Sequence, residues 1–282
     1  MAYKYNDIEA SCPICGLSKI LRVPEAVLSQ KKFGTIKIQV PMGAVCSDHQ
    51  FIVFVDQKGL IRGYEKIDIQ MAIPTAETEA EKRGLLTLRR LIQIVGLYGV
   101  FSLIHAKLFN YPSYIITDKN FQYSAELLNS LGDQLLPENY KGNNVIKLLE
   151  ETDYSKIKLK EKNALLLDTH QHILQTPWDE KLKFEEAMVK RALEIIDEEE
   201  QLILMQQNIS RFIKEAAYSK TLLENVREIY EDDLMERLSK ELMIPKINHF
   251  RLILIKNFIK QRFDPKLASK IKNKVEEFLD LL

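Results

Sequence analysis

The chain has 282 residues, 46% apolar and 28% charged, with 40 basic and 40 acidic side chains. That is enough chain for a full core and for two domains, and too apolar for a disordered protein. A formal net charge of zero excludes bulk attraction to nucleic acid or an anionic membrane, so any such partner must be met by local segregation of charge.

The start, "MAYKYNDIEASCPICG", has no apolar h-region, and no signal peptide is expected. Residues 1–75 read as a small β module. Thr35–Val40 alternates β-branched and polar residues. Phe51–Ile69 is two apolar runs around Asp56-Gln57-Lys58-Gly59, a hairpin pattern in which Gly59 supplies positive φ. Pro24 and Pro41 suit strand edges or turns. Pro74–Gly84 is small, charged and poor in apolar residues, and reads as a linker or first helical turn.

Residues 76–177 read as a mixed α/β domain. A helix is expected over about 85–109. Its uncharged run, Leu91–Ile104, is 14 residues, short of the ~20 that span a bilayer, so it reads as a buried helix. "GLYG", Gly96–Gly99, lies inside it and suggests close helix packing. Ser113–Asp118 reads as a strand, Phe121–Leu136 as a helix, and "NNVIKLLEE" as a short helix. Asn163–Gln175 begins as a buried strand.

Residues 178–282 read as a long helical region. From Trp178 to about Met243, apolar residues including Leu182, Val189, Ile196, Ile203, Ile209, Ile213 and Leu223 recur mostly at three, four or seven. One very long helix, or two with a kink near Tyr218–Leu222, is expected. Two more helices follow, about 247–263 and 265–282, the second opened by Asp264 and Pro265. The fold class expected is α+β: a zinc-stabilised β module, a small α/β layer and a long-helix C-terminal region.

Chemistry concentrates in "CPICG" and "VCSDH". Cys12-x2-Cys15 is followed, after 30 intervening residues, by Cys46-x2-His49, and together they use all three cysteines of the chain. A two-residue gap lets one tight turn aim two ligands at one ion. Two such turns supply three thiolates and an imidazole, a tetrahedral set suited to Zn²⁺. Four protein ligands leave no open position, so the expected zinc is structural. A thioredoxin-like redox pair fits less well, because β-type sequence follows Gly16 where that motif opens a helix. The two motifs resemble the knuckles of the zinc-ribbon family over residues 10–70, with His49 replacing the usual fourth Cys. The resemblance implies a metal held by Cys12, Cys15, Cys46 and His49 and a small β module. The segment between the knuckles is longer than that family's pattern.

A second candidate is "LLLDTHQHIL", Leu165–Leu174. A strand ending in Asp168-x-His170-x-His172 looks like the first metal-binding strand of amidohydrolase-type barrels, with both His on one face of an extended chain. The further strands and ligands of such a barrel are missing. No phosphate-binding glycine motif and no nucleophile elbow is present.

Charge is segregated in the last third. Trp178–Glu241 carries 17 acids and 10 bases, and Lys246–Lys274 carries 9 bases and one acid. An acidic helix facing a basic C-terminal pair is the simplest account. The function expected is a non-enzymatic, zinc-binding interaction or regulatory protein of adaptor type, docking a protein partner or itself through long helices. The alternatives are a nucleic-acid-associated transcriptional regulator, using the zinc module or the basic segment 246–274, and a metal-dependent hydrolase at Asp168, His170 and His172. Three Cys without a targeting signal point to a reducing cytoplasm. Richness in Lys, Ile, Glu and Asn resembles the usage of prokaryotic, including archaeal, AT-rich genomes.

Overall fold

The computed structural model describes residues 4–29, 34–41, 43–66, 86–119, 121–142, 145–154, 157 and 160–273. It is a mixed α/β protein with small antiparallel sheets at its N-terminus. The Pro74–Gly84 linker lies outside the described residues.

Two antiparallel arrangements build the N-terminal part. Strands β1 (Tyr5–Ser11) and β2 (Ser18–Pro24) pair as a hairpin, Tyr5 opposite Pro24 and Ser11 opposite Ser18. A one-turn helix, α1 (Glu25–Leu28), follows. Strands β3 (Ile36–Val40), β4 (Phe51–Val55) and β5 (Ile61–Lys66) form a meander. Its second turn is the expected one: Gly59 has φ 81°, and Asp56 Oδ1 accepts the N–H groups of Lys58 and Leu60.

Helix α2 (Leu88–Phe109) starts on Thr87, whose hydroxyl accepts the Arg90 N–H, and ends on Asn110 in the left-handed region. It is long and apolar enough by composition to cross a membrane, yet 89% of its most apolar window is buried inside the protein. Gly96 breaks it, with φ 77° and ψ 165°. The break frees backbone groups, and two distant glutamines satisfy them. Gln39 Oε1 accepts the Leu97 N–H at 2.7 Å, and Gln171 Nε2 donates to the Gln93 carbonyl at 3.2 Å. Gly96 is therefore a bridged break, where the sequence pattern suggests an unbroken helix.

A four-stranded sheet lies at the centre, ordered β7-β6-β8-β9. Strands β6 (Ser113–Thr117), β7 (Ile146–Glu150) and β8 (Leu165–Asp168) are parallel, and β9 (Ile173–Gln175) is antiparallel. Helix α3 (Ala125–Leu135) connects β6 to β7. The "NNVIKLLEE" helix expectation fails here. A short apolar run fits either period, and tertiary pairing decides. Ile116 and its neighbours on β6 pair with it, while Asn129 of α3 donates to the Ile146 carbonyl and accepts the Ile146 N–H.

The C-terminal part is α4 (Lys183–Leu193), α5 (Glu198–Asn225), strand β10 (Ile229–Tyr230), α6 (Glu231–Glu241), α7 (His249–Arg262), the short α8 (Pro265–Ala268) and β11 (Ile271–Lys272). The one long helix, or kinked pair, expected up to about Met243 is corrected to three helices. Breaks fall at 194–197 and 226–230, and the expected kink at Tyr218–Leu222 is continuous helix. Asp197 makes the first break, because its carboxylate accepts the Glu200 N–H and starts a new helix. The shift of phase leaves Ile196 and Ile203 exposed. The last expected helix, about 265–282, stops after Ala268 and is followed by β11, which pairs in parallel with β10; residues 274–282 lie outside the described residues. Asp264 and Pro265 open α8 as expected.

Alternation along the central strands divides the interior into two cores. Ile115, Leu165 and Leu167 face a large core with α2 through α8. Tyr114, Ile116 and Leu166 face a second core with Ile8, Val23, Ile38, Phe51 and Val53 of the N-terminal strands. The sheet is covered on both faces, which is why its strands are apolar without a polar side. The three sequence segments thus share two cores.

Candidate metal centre

The two cysteine motifs occupy two hairpin turns. Cys12–Gly16 forms the β1–β2 turn. The Gly16 N–H donates to the Cys12 carbonyl at 2.9 Å, and the Cys12 N–H donates to the Leu17 carbonyl at 2.7 Å. Gly16 has φ 77°, a conformation glycine takes without strain. Cys46–His49 lies in the turn between β3 and β4. There the Gly43 N–H donates to the Cys46 carbonyl at 2.7 Å.

The ligand atoms of Cys12, Cys15, Cys46 and His49 all lie within 4.8 Å of one another. A zinc–sulfur bond of ~2.3 Å sets tetrahedral ligand atoms about 3.8 Å apart, so the cluster has the right scale. Cys46 Sγ is 3.5 Å from His49 Nδ1. Cys12 and Cys46 are buried and Cys15 is exposed. Burial pushes the Cys12 thiol up, but the N–H groups of Cys15 and Ile14, with the Cys15 and Cys46 thiols, bring it down to about 7. Burial and the neighbouring Cys12 thiol raise that of Cys46. The donor set, three sulfurs and an imidazole, fits one tetrahedral ion such as zinc.

The second candidate group is organised differently. Asp168 ends β8 and is buried. Its Oδ1 accepts the N–H groups of His170 and His172 at 3.0 and 2.8 Å, and its Oδ2 is 2.8 Å from His172 Nδ1. Residues 169–172 form the turn into β9, with Gln171 at φ 67°. The expected extended chain is therefore a tight turn. His170 and His172 are 6.4 Å apart between ring centres, and Asp168 spends both oxygens within the turn. Its negative charge is felt nearby: burial, then the Asp168 carboxylate, pushes the Tyr154 phenol up to about 12. Among the described residues, the Cys12, Cys15, Cys46 and His49 cluster is the one group of three or more His, Cys, Asp or Glu able to hold an ion.

Sequence reasoning missed a buried pair. His105 of α2 and Glu185 of α4 are both fully buried, with His105 Nδ1 2.8 Å from Glu185 Oε1. His105 Nε2 is 3.7 Å from Glu180 Oε1, and its ring stacks on Phe109 at 4.1 Å. The available signal was a single His inside an apolar helical run, which by itself names no partner.

The basic segment also finds partners within the chain. Arg251 Nε lies 2.7 Å from the buried Glu215 of α5, and its guanidinium covers the rings of Phe184 and Phe212. Arg262 donates to the carbonyls of Lys107, Leu108 and Tyr140, closing the end of α2. Lys270 donates to the carbonyls of Leu223 and Val226.

No protein-family model, curated protein or solved structure matches this chain significantly.

Proposed function

We propose that the chain is a non-enzymatic interaction or regulatory protein whose N-terminal module is held together by one structural zinc ion. The observation that carries this reading is the closed set of four soft donors, Cys12, Cys15, Cys46 and His49, within 4.8 Å of one another. Three thiolates and an imidazole fill a tetrahedral ion, so the metal would fold the module and leave no position for a substrate. Free thiols committed to a metal suit a reducing compartment such as the cytoplasm.

The long helices would then supply the docking surface, for a protein partner or a second copy. Ile196, Ile203, Met243 and Phe250 are exposed apolar side chains on or beside them. Nucleic-acid binding is less favoured, because Arg251, Arg262 and Lys270 of the basic segment are spent on Glu215 and on backbone carbonyls.

Metal analysis of the purified 282-residue chain tests the zinc. One zinc per chain, lost in Cys46→Ser and kept in His170→Ala, is the expected result. A chain that folds and binds no metal would remove the reading, and zinc that departs with His170 would move it to the Asp168 turn.

A further inference from the structure

The Asp168 turn sits where an open α/β sheet places its ligands. Strand order β7-β6-β8 puts the first parallel strand in the middle. The connection from β6 to β7 packs Leu128 and Leu135 of α3 on one face. The connection from β7 to β8 packs Tyr154 and Ile157 on the other. Such a reversal opens a crevice outside the carboxyl ends of the two strands where it occurs, here β6 and β8. Asp168 is the last residue of β8, and the Thr169 N–H donates to the Ile116 carbonyl of β6.

A cleft of about 800 Å³ adjoins this turn. It runs between β3 and α1 on one side and α2, β9 and the start of α4 on the other. That volume suits a small organic molecule. Tyr98, Phe101 and Trp178 supply aromatic wall, and Gln171 and His172 supply its polar end. The Asp168 carboxylate holds His172 at Nδ1, which leaves Nε2 as the acceptor of the ring. Gln171 Oε1, by contrast, is closed off against Gly96 and does not face the cleft's open space. At the other end stands Glu180, whose Oε1 accepts from Asn257 Nδ2 at 3.2 Å and lies 3.7 Å from the buried His105.

A ring nitrogen left as an acceptor at the end of a cleft is satisfied by a ligand that donates to it. The cleft therefore selects a ligand with N–H or O–H groups. Charge narrows the class. Lys37, Lys181 and Lys183 line the cleft with Asp179, Glu180 and Glu186, so no net positive field favours a phosphate. Lys37 is also engaged, 3.3 Å from Glu65 and 3.4 Å from the Tyr98 hydroxyl.

We propose that this cleft binds an uncharged aromatic heterocycle bearing an N–H donor, of nucleobase or nucleoside size, with His172 Nε2 as its acceptor. The site goes beyond the zinc-module reading and does not depend on it.

Trp178 is the only tryptophan in the chain and lines the cleft, with His105 and Tyr111 packed on its ring, so its emission is the reporter for a ligand that binds there. The intact 282-residue chain is titrated with adenosine, guanosine and cytidine. At least one is expected to give a saturable change. For a purine that binds, loss of a donor is tested on the unmodified protein with N6,N6-dimethyladenosine beside adenosine; about tenfold weaker binding is expected, the size of one lost hydrogen bond. His172→Phe is expected to weaken binding about tenfold and His172→Gln, which keeps an acceptor, less, with zinc content unchanged in both. Three outcomes overturn the proposal: no saturable change with any nucleoside up to about 10 mM, equal binding of the dimethylated analogue, or tighter binding of adenosine monophosphate than of adenosine.

Discussion

The core beneath the N-terminal strands and the core beneath the C-terminal helices differ in what closes them. The helical core is closed by aromatic rings. Phe109, Phe212 and Phe258 are fully buried, and Phe212 and Phe258 meet edge to face at 5.1 Å. Long helices bring many such side chains together, and the burial of each stabilises the fold by about 1.5–3 kcal/mol. The N-terminal core has short strands, and its turns carry Cys12 and Cys46 at the edge of the packed region. A small β module buries little apolar surface by itself, and this one leans on Tyr114, Ile116 and Leu166 of the central sheet. The comparison teaches that long elements close a core by packing, while short ones leave four potential metal ligands, Cys12, Cys15, Cys46 and His49, gathered at their turns.

Four changes would break or sharpen that contrast. Removing the proposed zinc should act most strongly and only on one side. A chelator, or Cys46→Ser, should cost the N-terminal module on the order of 10 kcal/mol of folding free energy. Hydrogen exchange should then speed up in β1 to β4 while α5 and α7 stay protected. Equal loss of protection in both regions would show that the cores do not differ in this way. Phe212→Ala should do the reverse. Its cavity should cost about 4 kcal/mol in denaturant unfolding and leave the metal content unchanged.

Gly96→Ala addresses the seam between the cores. Gly96 has φ 77°, and an added Cβ would sit 3.0 Å from Gln39 Oε1 and from Gln171 Cβ. Gln39 comes from the N-terminal meander and Gln171 from the central sheet, so the strain would reach both sides. A loss of about 2 kcal/mol is expected, with lower thermal midpoints reported by probes in either region.

The smallest effect concerns acid. The Leu60 N–H, helped by the Arg62 guanidinium and the Lys58 N–H, outweighs burial and holds the Asp56 carboxyl below the usual range. A lowered folded value means that the stabilisation is present above the unfolded carboxylate range. It is lost as pH falls through the folded value of Asp56. Asp56→Asn should therefore be less stable than the parent at neutral pH, and the two unfolding curves should converge in acid. A gap that stays constant with pH would assign the loss to the turn geometry instead of the charge.

Much of the local structure was legible along the chain because its causes are local. Gly59 marked the β4–β5 turn, Asp264 and Pro265 marked the start of α8, and the paired two-residue gaps marked Cys12, Cys15, Cys46 and His49. Ile146–Glu150 was not legible, since five residues of mixed apolar pattern fit a helix or a strand. Its type is decided by β6 alongside and by Asn129 above it. The helix breaks at 194–197 and 226–230 were masked by continuous apolar periodicity, because a cap such as Asp197 is a single polar residue among many.

The sequence by itself determined which atoms could bind a metal and where most strands and helices begin, because spacing, caps and glycines act within a few residues. Only the tertiary structure decided that the sheet's two faces serve different cores, that Gln39 and Gln171 bridge the break at Gly96, and that His105 meets Glu185. Those contacts join residues far apart in the chain. Their energy comes from satisfying buried polar groups and filling space, and neither leaves a periodic mark on the residues that make them.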